Sequence, residues 1–358
     1  MIKTIFLLGA LAMGILGANA QQTKLLTAEK HNEYGLIYTL PMTAFDIEVT
    51  AVREVQTAGP YFQYAKKYVG TDKVVKENAE FWTIESVKVR PYGTPDPDAR
   101  YLMQLKPGAT TFIGVDSDGM LLTINTNPET VEKEPSVARE MEGEKLADRE
   151  YLQYVDEDFI ASQSSAKQAQ MLAENLMEIR ESKLALTRGT ADVMPTDGKQ
   201  LELMLNSLRH QEAALTAAFI GNTTKETVVR NYTFVPADNG KRVLFRLSDF
   251  AGFVGADDYS GEPVYINVNI TNEGQLPVDA KGEEKKLPKD AVAYCVPGAA
   301  EISLSYLGKT LFDKEFEIAQ FGVIFGLDPQ LFTDKKAPSY AVFDPATGAL
   351  KEIGTVKQ

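Results

Sequence analysis

Against 50 acidic side chains the sequence sets two histidines and one cysteine, so acid–base chemistry in this chain would fall to carboxylates. A glycosidase-like pair requires only two carboxyl groups ~5–10 Å apart, one of them protonated. The acids that crowd into loops are Asp96 with Asp98, and Asp257 with Asp258 and Glu262; each group also reads as an ordinary acidic turn. His31 and His210 stand far apart in the chain, and no Gly-x-Ser-x-Gly elbow accompanies them, so a Ser-His-Asp device is not indicated. Two histidines are also too few for a histidine metal site. Neither a phosphate loop nor a Gly-x-Gly-x-x-Gly turn between strand and helix occurs, which argues against nucleotide cofactors. Asp116-Ser117-Asp118-Gly119 resembles part of a calcium loop but lacks the third acid before the glycine and the distal glutamate. It reads as a β-turn, the glycine supplying positive φ. Cys295 has no partner for an intramolecular disulfide and reads as a small buried hydrophobe on a strand. No catalytic, cofactor-binding or metal residue is assigned on these grounds. The expectation is a non-enzymatic binding or structural role, with a carboxylate-dependent glycan hydrolase as the alternative.

Recognition, unlike catalysis, needs no poised proton donor. The acidic segment 127–164 is poor in apolar residues except for an aromatic island around Asp156-Glu157-Asp158. Tyr151, Tyr154 and Phe159 of that island are the candidate binding residues, since aromatics supply large contact area. The competing reading is that the island docks the segment back onto a sheet.

The elements around these residues follow from periodicity. Leu36, Tyr38 and Leu40 alternate up to Pro41, and Phe45, Ile47 and Val49 alternate with Asp46 and Glu48 as a second strand with one wet face. Ala58-Gly59-Pro60 forces a turn, after which Tyr61, Tyr64, Ala65 and Tyr68 recur as on a short helix closed by Gly70. Phe81–Val89 and Tyr101–Leu105 read as strands, and the proline-rich 94–98 between them as a loop. Ser165 with Gln168 opens a helix running to about Thr187. Asp197 with Gln200 opens a second that Gly221 ends, and the short linker makes the two an antiparallel hairpin. From Thr223 the period returns to two, in many short strands separated by turn residues. The fold class expected is α+β, mostly antiparallel β: two β-sandwich-like domains or sheets with an intervening helical hairpin. Tyr38-Thr39-Leu40-Pro41 is echoed by Tyr294-Cys295-Val296-Pro297, with the alternation downstream slipped by one residue.

Lys3, the apolar run Ile5–Gly17 and the exit Ala18-Asn19-Ala20 read as a secretory signal cleaved before Gln21. The formal charge of −13 becomes −14 once Lys3 leaves with that segment. Such an acidic surface argues against nucleic acid as partner, and no later run approaches the ~20 apolar residues of a spanning helix. An envelope or extracellular protein or polymer is the partner expected of an exported chain. The organisation read from the sequence is a signal peptide 1–20, a β-rich domain 21–126, the acidic segment 127–164, a helical hairpin 165–221 and a second β-rich domain 222–358.

GPYFQYAKKYVG, TADVMPTDGKQLELMLNSLRHQEAALTAAFIGNTT, VLFRLSDFAGFV and GEPVYI together resemble the domain-of-unknown-function family 4831 of gut Bacteroidetes. The resemblance covers essentially the whole mature chain. It implies an exported protein in the envelope or surroundings of a Gram-negative bacterium, and it carries no functional residue with it.

Overall fold

The computed structural model describes residues 35–104, 112–128, 141–142, 145–285, 291–333 and 337–356. The expected signal peptide and His31 lie outside the described residues, as do parts of the acidic segment 127–164 and of the lysine–glutamate run 281–289. Within them the order is β1 (Gly35–Thr57), α1 (Ala65–Tyr68), β2 (Ala79–Gln104), β3 (Ile113–Val115), β4 (Leu121–Ile124), β5 (Met141–Glu142), α2 (Glu157–Ala161), α3 (Ser165–Arg188), α4 (Gly198–Ile220), β6 (Asn222–Phe234), β7 (Gly240–Ser248), β8 (Gly252–Val254), β9 (Glu262–Asn272), β10 (Val292–Tyr306), β11 (Lys309–Leu327), α5 (Gln330–Thr333), β12 (Ser339–Phe343) and β13 (Leu350–Thr355). The fold is α+β and mostly antiparallel β, as the periodicity requires.

Two stretches that the sequence divides are single strands. Pro41 does not end β1, because the chain absorbs it in a bulge between Thr39 and Pro41 and continues. Pro91, Pro95 and Pro97 likewise lie within β2, not in a loop. The strand order β2-β1-β6-β5 explains this: β2 is at the sheet edge, where a missing N–H costs no ladder bond. β1 thus has β2 on one side and β6 on the other, and β6 follows the helical hairpin in sequence. A second sheet runs β11-β10-β9-β7-β8, and a third, β13-β12-β4-β3, joins strands from both β-rich segments.

The long strands pass between two cores. Tyr38, Leu40, Tyr101, Ile124, Tyr294, Phe325 and Phe343 bury one; Phe45, Ile47, Phe245, Ile266, Ile302 and Ile318 bury the other, between the first two sheets. Thr43, wholly buried at the crossing, holds the strands together. Its Oγ1 donates to Ala346 O (3.0 Å) and accepts from Ala319 N (3.0 Å), while its N–H donates to Gln320 Oε1 (2.9 Å). The face of β1 opposite the second core is not uniformly wet: Glu48 is only 3% exposed, covered by Lys88 (3.3 Å) and Arg90 (3.2 Å) from β2.

The sequence echo has a structural counterpart. Thr39 N donates to Gly119 O (2.9 Å) in the β3–β4 turn, and Cys295 N donates to Gly348 O (3.0 Å) in the β12–β13 turn. Each contact is also a parallel bridge, Thr39 to Met120 and Cys295 to Ala349. The bulge falls between Thr39 and Pro41 in β1 but between Val296 and Gly298 in β10. That offset accounts for the slipped alternation, Phe45, Ile47 and Val49 facing inward in one strand and Ala300, Ile302 and Leu304 in the other. The two arms differ at their tips. β10 and β11 meet in a two-residue turn, Leu307 (φ 48°) and Gly308 (φ 75°), of the type that matches strand twist. β1 and β2 are instead joined by residues 58–78, which carry α1.

That insertion anchors the helical layer. Tyr61 N donates to Ala218 O (2.9 Å), and Tyr61 packs with Leu172, Leu176, Leu215 and Phe219 in a third core. Asp197 caps α4 as expected, its Oδ1 accepting from Gln200 N (2.8 Å). The cap of α3 is one residue earlier than the sequence pattern places it. Ser164 accepts from Lys167 N, and Gln168 is not its capping partner: its Nε2 donates to Phe159 O (3.2 Å) and Ser162 O (2.9 Å), tying α2 to α3. Among the described residues no helix is long and apolar enough to cross a membrane.

Candidate functional site

Two of the acids singled out for a possible catalytic pair accept the backbone N–H two residues on. Asp96 Oδ1 accepts from Asp98 N (2.9 Å), and Asp258 Oδ1 accepts from Ser260 N (2.9 Å). Hydrogen bonds from Ser260 hold the Asp258 carboxyl below its ordinary range. Glu80 is held down chiefly by the Arg53 side chain, and Glu150 by the Ala147 N–H and then His210. Burial pushes Glu212 up, yet Lys183 and Arg180 together bring it below its ordinary range. A general acid requires the opposite shift. Asp116 also caps a turn, accepting from Asp118 N (2.9 Å) and Met120 N (2.8 Å). Burial pushes the Cys295 thiol up to about 12, and its Sγ faces Ala319 O at 3.5 Å, which makes it a packed side chain and not a nucleophile. His210 Nε2 pairs with Glu150, which ties that residue to α4.

The expected binding aromatics are placed differently from one another. Tyr151 and Phe159 are buried, meeting Tyr61 edge-on at 6.0 and 6.2 Å between ring centres. Tyr154 is half-buried against the same core, and its carbonyl accepts from Asn175 Nδ2 (3.1 Å). Their rings are committed to the helical layer, so the island docks the acidic segment onto the helices and not onto a sheet. Its exposed apolar members are Leu152 and Ile160.

Outward-facing aromatics occur elsewhere. Register places Ser248 opposite Gly252, Leu247 opposite Glu262 and Val264 opposite Tyr306. The β7–β8 turn, the 255–261 loop and the β10–β11 turn therefore share one end of the five-stranded sheet. Phe250, Tyr259 and Leu307 are 89%, 84% and 65% exposed there, each on a different connection. These connections are held by hydrogen bonds. Arg246 Nε donates to Ala256 O (2.8 Å) and Nη1 to Gly261 O (3.1 Å), while its guanidinium lies 4.5 Å from the Tyr259 ring centre. Gly252, at φ 68°, sits so close to Trp82 that a Cβ there would meet the indole at 2.6 Å. The turn carrying Phe250 is thereby seated on β2.

Asp249, Asp257, Asp258 and Glu262 rim the same end, all exposed. Burial, followed by the charges of Asp249 and Glu262, pushes the Tyr306 hydroxyl up. The sequence holds a signal for this surface that went unread: Phe250 lies in Ser248-Asp249-Phe250-Ala251-Gly252 and Tyr259 in Asp257-Asp258-Tyr259-Ser260-Gly261. A large ring among turn-forming residues has no strand face on which to be buried.

Hollows also open on the surface, two of them at the helical layer. One of about 570 Å³ lies between Asn78, Arg149 and Ala214 at the foot of α4. The other, about 440 Å³, lies near the tip of the helical hairpin, lined by Ala185, Leu186, Val193 and Met204. The chain matches the family model described as Domain of unknown function (DUF4831) over residues 34–351. No curated protein and no solved structure matches it.

Proposed function

We propose that this chain, which belongs to the DUF4831 family, is an exported cell-envelope protein without catalytic activity that binds a protein or polymer through the turn-bearing end of its five-stranded sheet. The observation that carries this reading is the exposure of Phe250 and Tyr259 on hydrogen-bonded connections. Leaving two large rings in water gives up burial worth roughly 1.5–3 kcal/mol each, which a contact surface recovers when its partner covers them. Rigid loops also reduce the ordering cost of association. Export rests on Lys3, the apolar run Ile5–Gly17 and the small-residue exit before Gln21.

Photo-crosslinking in intact cells tests the reading. A photoreactive residue at position 250 or 259 is expected to yield one discrete adduct that a probe at Ile353, exposed on a different sheet, does not yield. Equal labelling from all three positions, or none from 250 and 259, contradicts it. Release of reducing sugar from a glycan by the purified protein would restore the hydrolase.

A further inference from the structure

We infer that the partner segment taken by this end is a polypeptide stretch that carries lysine or arginine together with aliphatic residues. The inference rests on the binding reading above and gives its partner a chemistry. Bare aromatic faces by themselves suit either sugar C–H groups or cations, so the polar groups around them decide. Those groups are acceptors: Asp249, Asp257, Asp258 and Glu262 stand exposed around Phe250 and Tyr259. A sugar hydroxyl both donates and accepts, and its recognition calls for donors as well as acceptors. Two of the donors here are already committed. Arg246 donates to the Ala256 and Gly261 carbonyls, and Ser260 is engaged by Asp258. Lys309 stands exposed beside the β10–β11 turn, one cation set against these four carboxylates.

An acceptor-rich surface fits a ligand that only donates, and lysine and arginine side chains carry donors and no acceptor. The rings strengthen the match. Tyr259 already takes the Arg246 guanidinium on its ring at 4.5 Å, which shows that this ring accepts a cation in the folded protein. With Tyr259 84% exposed and Phe250 89% exposed, further ring surface is open to a second cation or to its aliphatic stem. Leu307 adds an apolar contact on the neighbouring turn.

The test uses the full mature chain and three probes: a dodecapeptide alternating lysine and leucine, its glutamate–leucine counterpart, and a set of neutral hexasaccharides. The lysine peptide is expected to bind, and the other two are not. Phe250→Ser with Tyr259→Ser, and separately Asp249→Asn with Asp257→Asn and Glu262→Gln, are each expected to weaken it at least 10-fold. Equal affinity in the ring variant would mean that general negative charge alone holds the peptide, and it overturns the inference. So does tighter binding of the glutamate peptide or of a hexasaccharide. If the cellular adduct at position 259 persists while the lysine peptide fails to bind, only the partner's chemistry is overturned; if both fail, the binding reading falls with it.

Discussion

The guanidinium of Arg246 lies 4.5 Å from the Tyr259 ring centre while two of its nitrogens donate to the carbonyls of Ala256 and Gly261. One side chain from β7 thereby fixes both ends of the 255–261 loop and the aromatic at its crest. Arg246→Ala is expected to cost about 1–3 kcal/mol, since two carbonyls lose a charged donor. Amide exchange across residues 256–261 should quicken while that of β9 is unchanged. Unaltered exchange in the loop would mean that Arg246 does not hold it.

The helical seam separates buried from half-buried positions. Leu176 of α3 is fully buried, whereas Leu205 of α4 is only half-buried where the hairpin extends beyond its anchored base. Leu176→Ala should destabilise by about 2–5 kcal/mol and Leu205→Ala by about 1 kcal/mol. Chemical denaturation of both variants checks the order, and equal losses would contradict it.

Phe159 is buried against Tyr61 and Tyr151. Phe159→Ala is therefore expected to cost about 3–5 kcal/mol and to leave partner binding intact at temperatures where the chain is folded. Reduced binding without reduced stability would return the aromatic island to the contact surface.

Alkaline pH supplies a further check. Burial pushes the Tyr61 and Tyr232 hydroxyls and the Cys295 thiol up to about 12. In the unfolded chain these groups ionise near ~8.5 for cysteine and ~10 for tyrosine. The folded state thus keeps protons that the unfolded state releases, so their stabilisation is fully present below about 8.5 and is lost as pH rises from there through about 12. Urea midpoints should be flat from pH 7 to 8.5 and fall at pH 10 and 11. A thiol reagent at pH 8 should leave Cys295 unmodified until denaturant is added, and rapid native-state modification would contradict its burial.

Local order was readable in this chain wherever one residue's surroundings are set by its near neighbours. Phe45, Ile47 and Val49 alternate with polar residues because the strand has one core face, and Asp197 marks a helix start because its side chain bonds to a backbone N–H three residues on. What depends on distant chain was not readable. Pro91, Pro95 and Pro97 stop a strand only when both edges are paired, and nothing local says that β2 lies at an edge. Tyr151 reads as a contact residue until Tyr61, distant in sequence, covers it. Glu48 appears wet until Lys88 and Arg90 arrive from β2. The candidate surface is half legible in the sequence: Asp257, Asp258 and Glu262 stand out as a cluster of acids, while the exposure of Phe250 and Tyr259 depends on how the turns that carry them are seated.

The most direct measurement of the central claim is a paired one on the Phe250→Ser, Tyr259→Ser double variant: its melting temperature, and its adduct yield in intact cells from a photoreactive residue at Leu307. Both rings are exposed and support no core, so the melting temperature should stay within about 2 °C of the parent, as surface changes usually do. The adduct seen with the parent chain should be lost. An undiminished adduct, or a loss of adduct accompanied by a fall in melting temperature of many degrees, would contradict the assignment of this end as the binding surface.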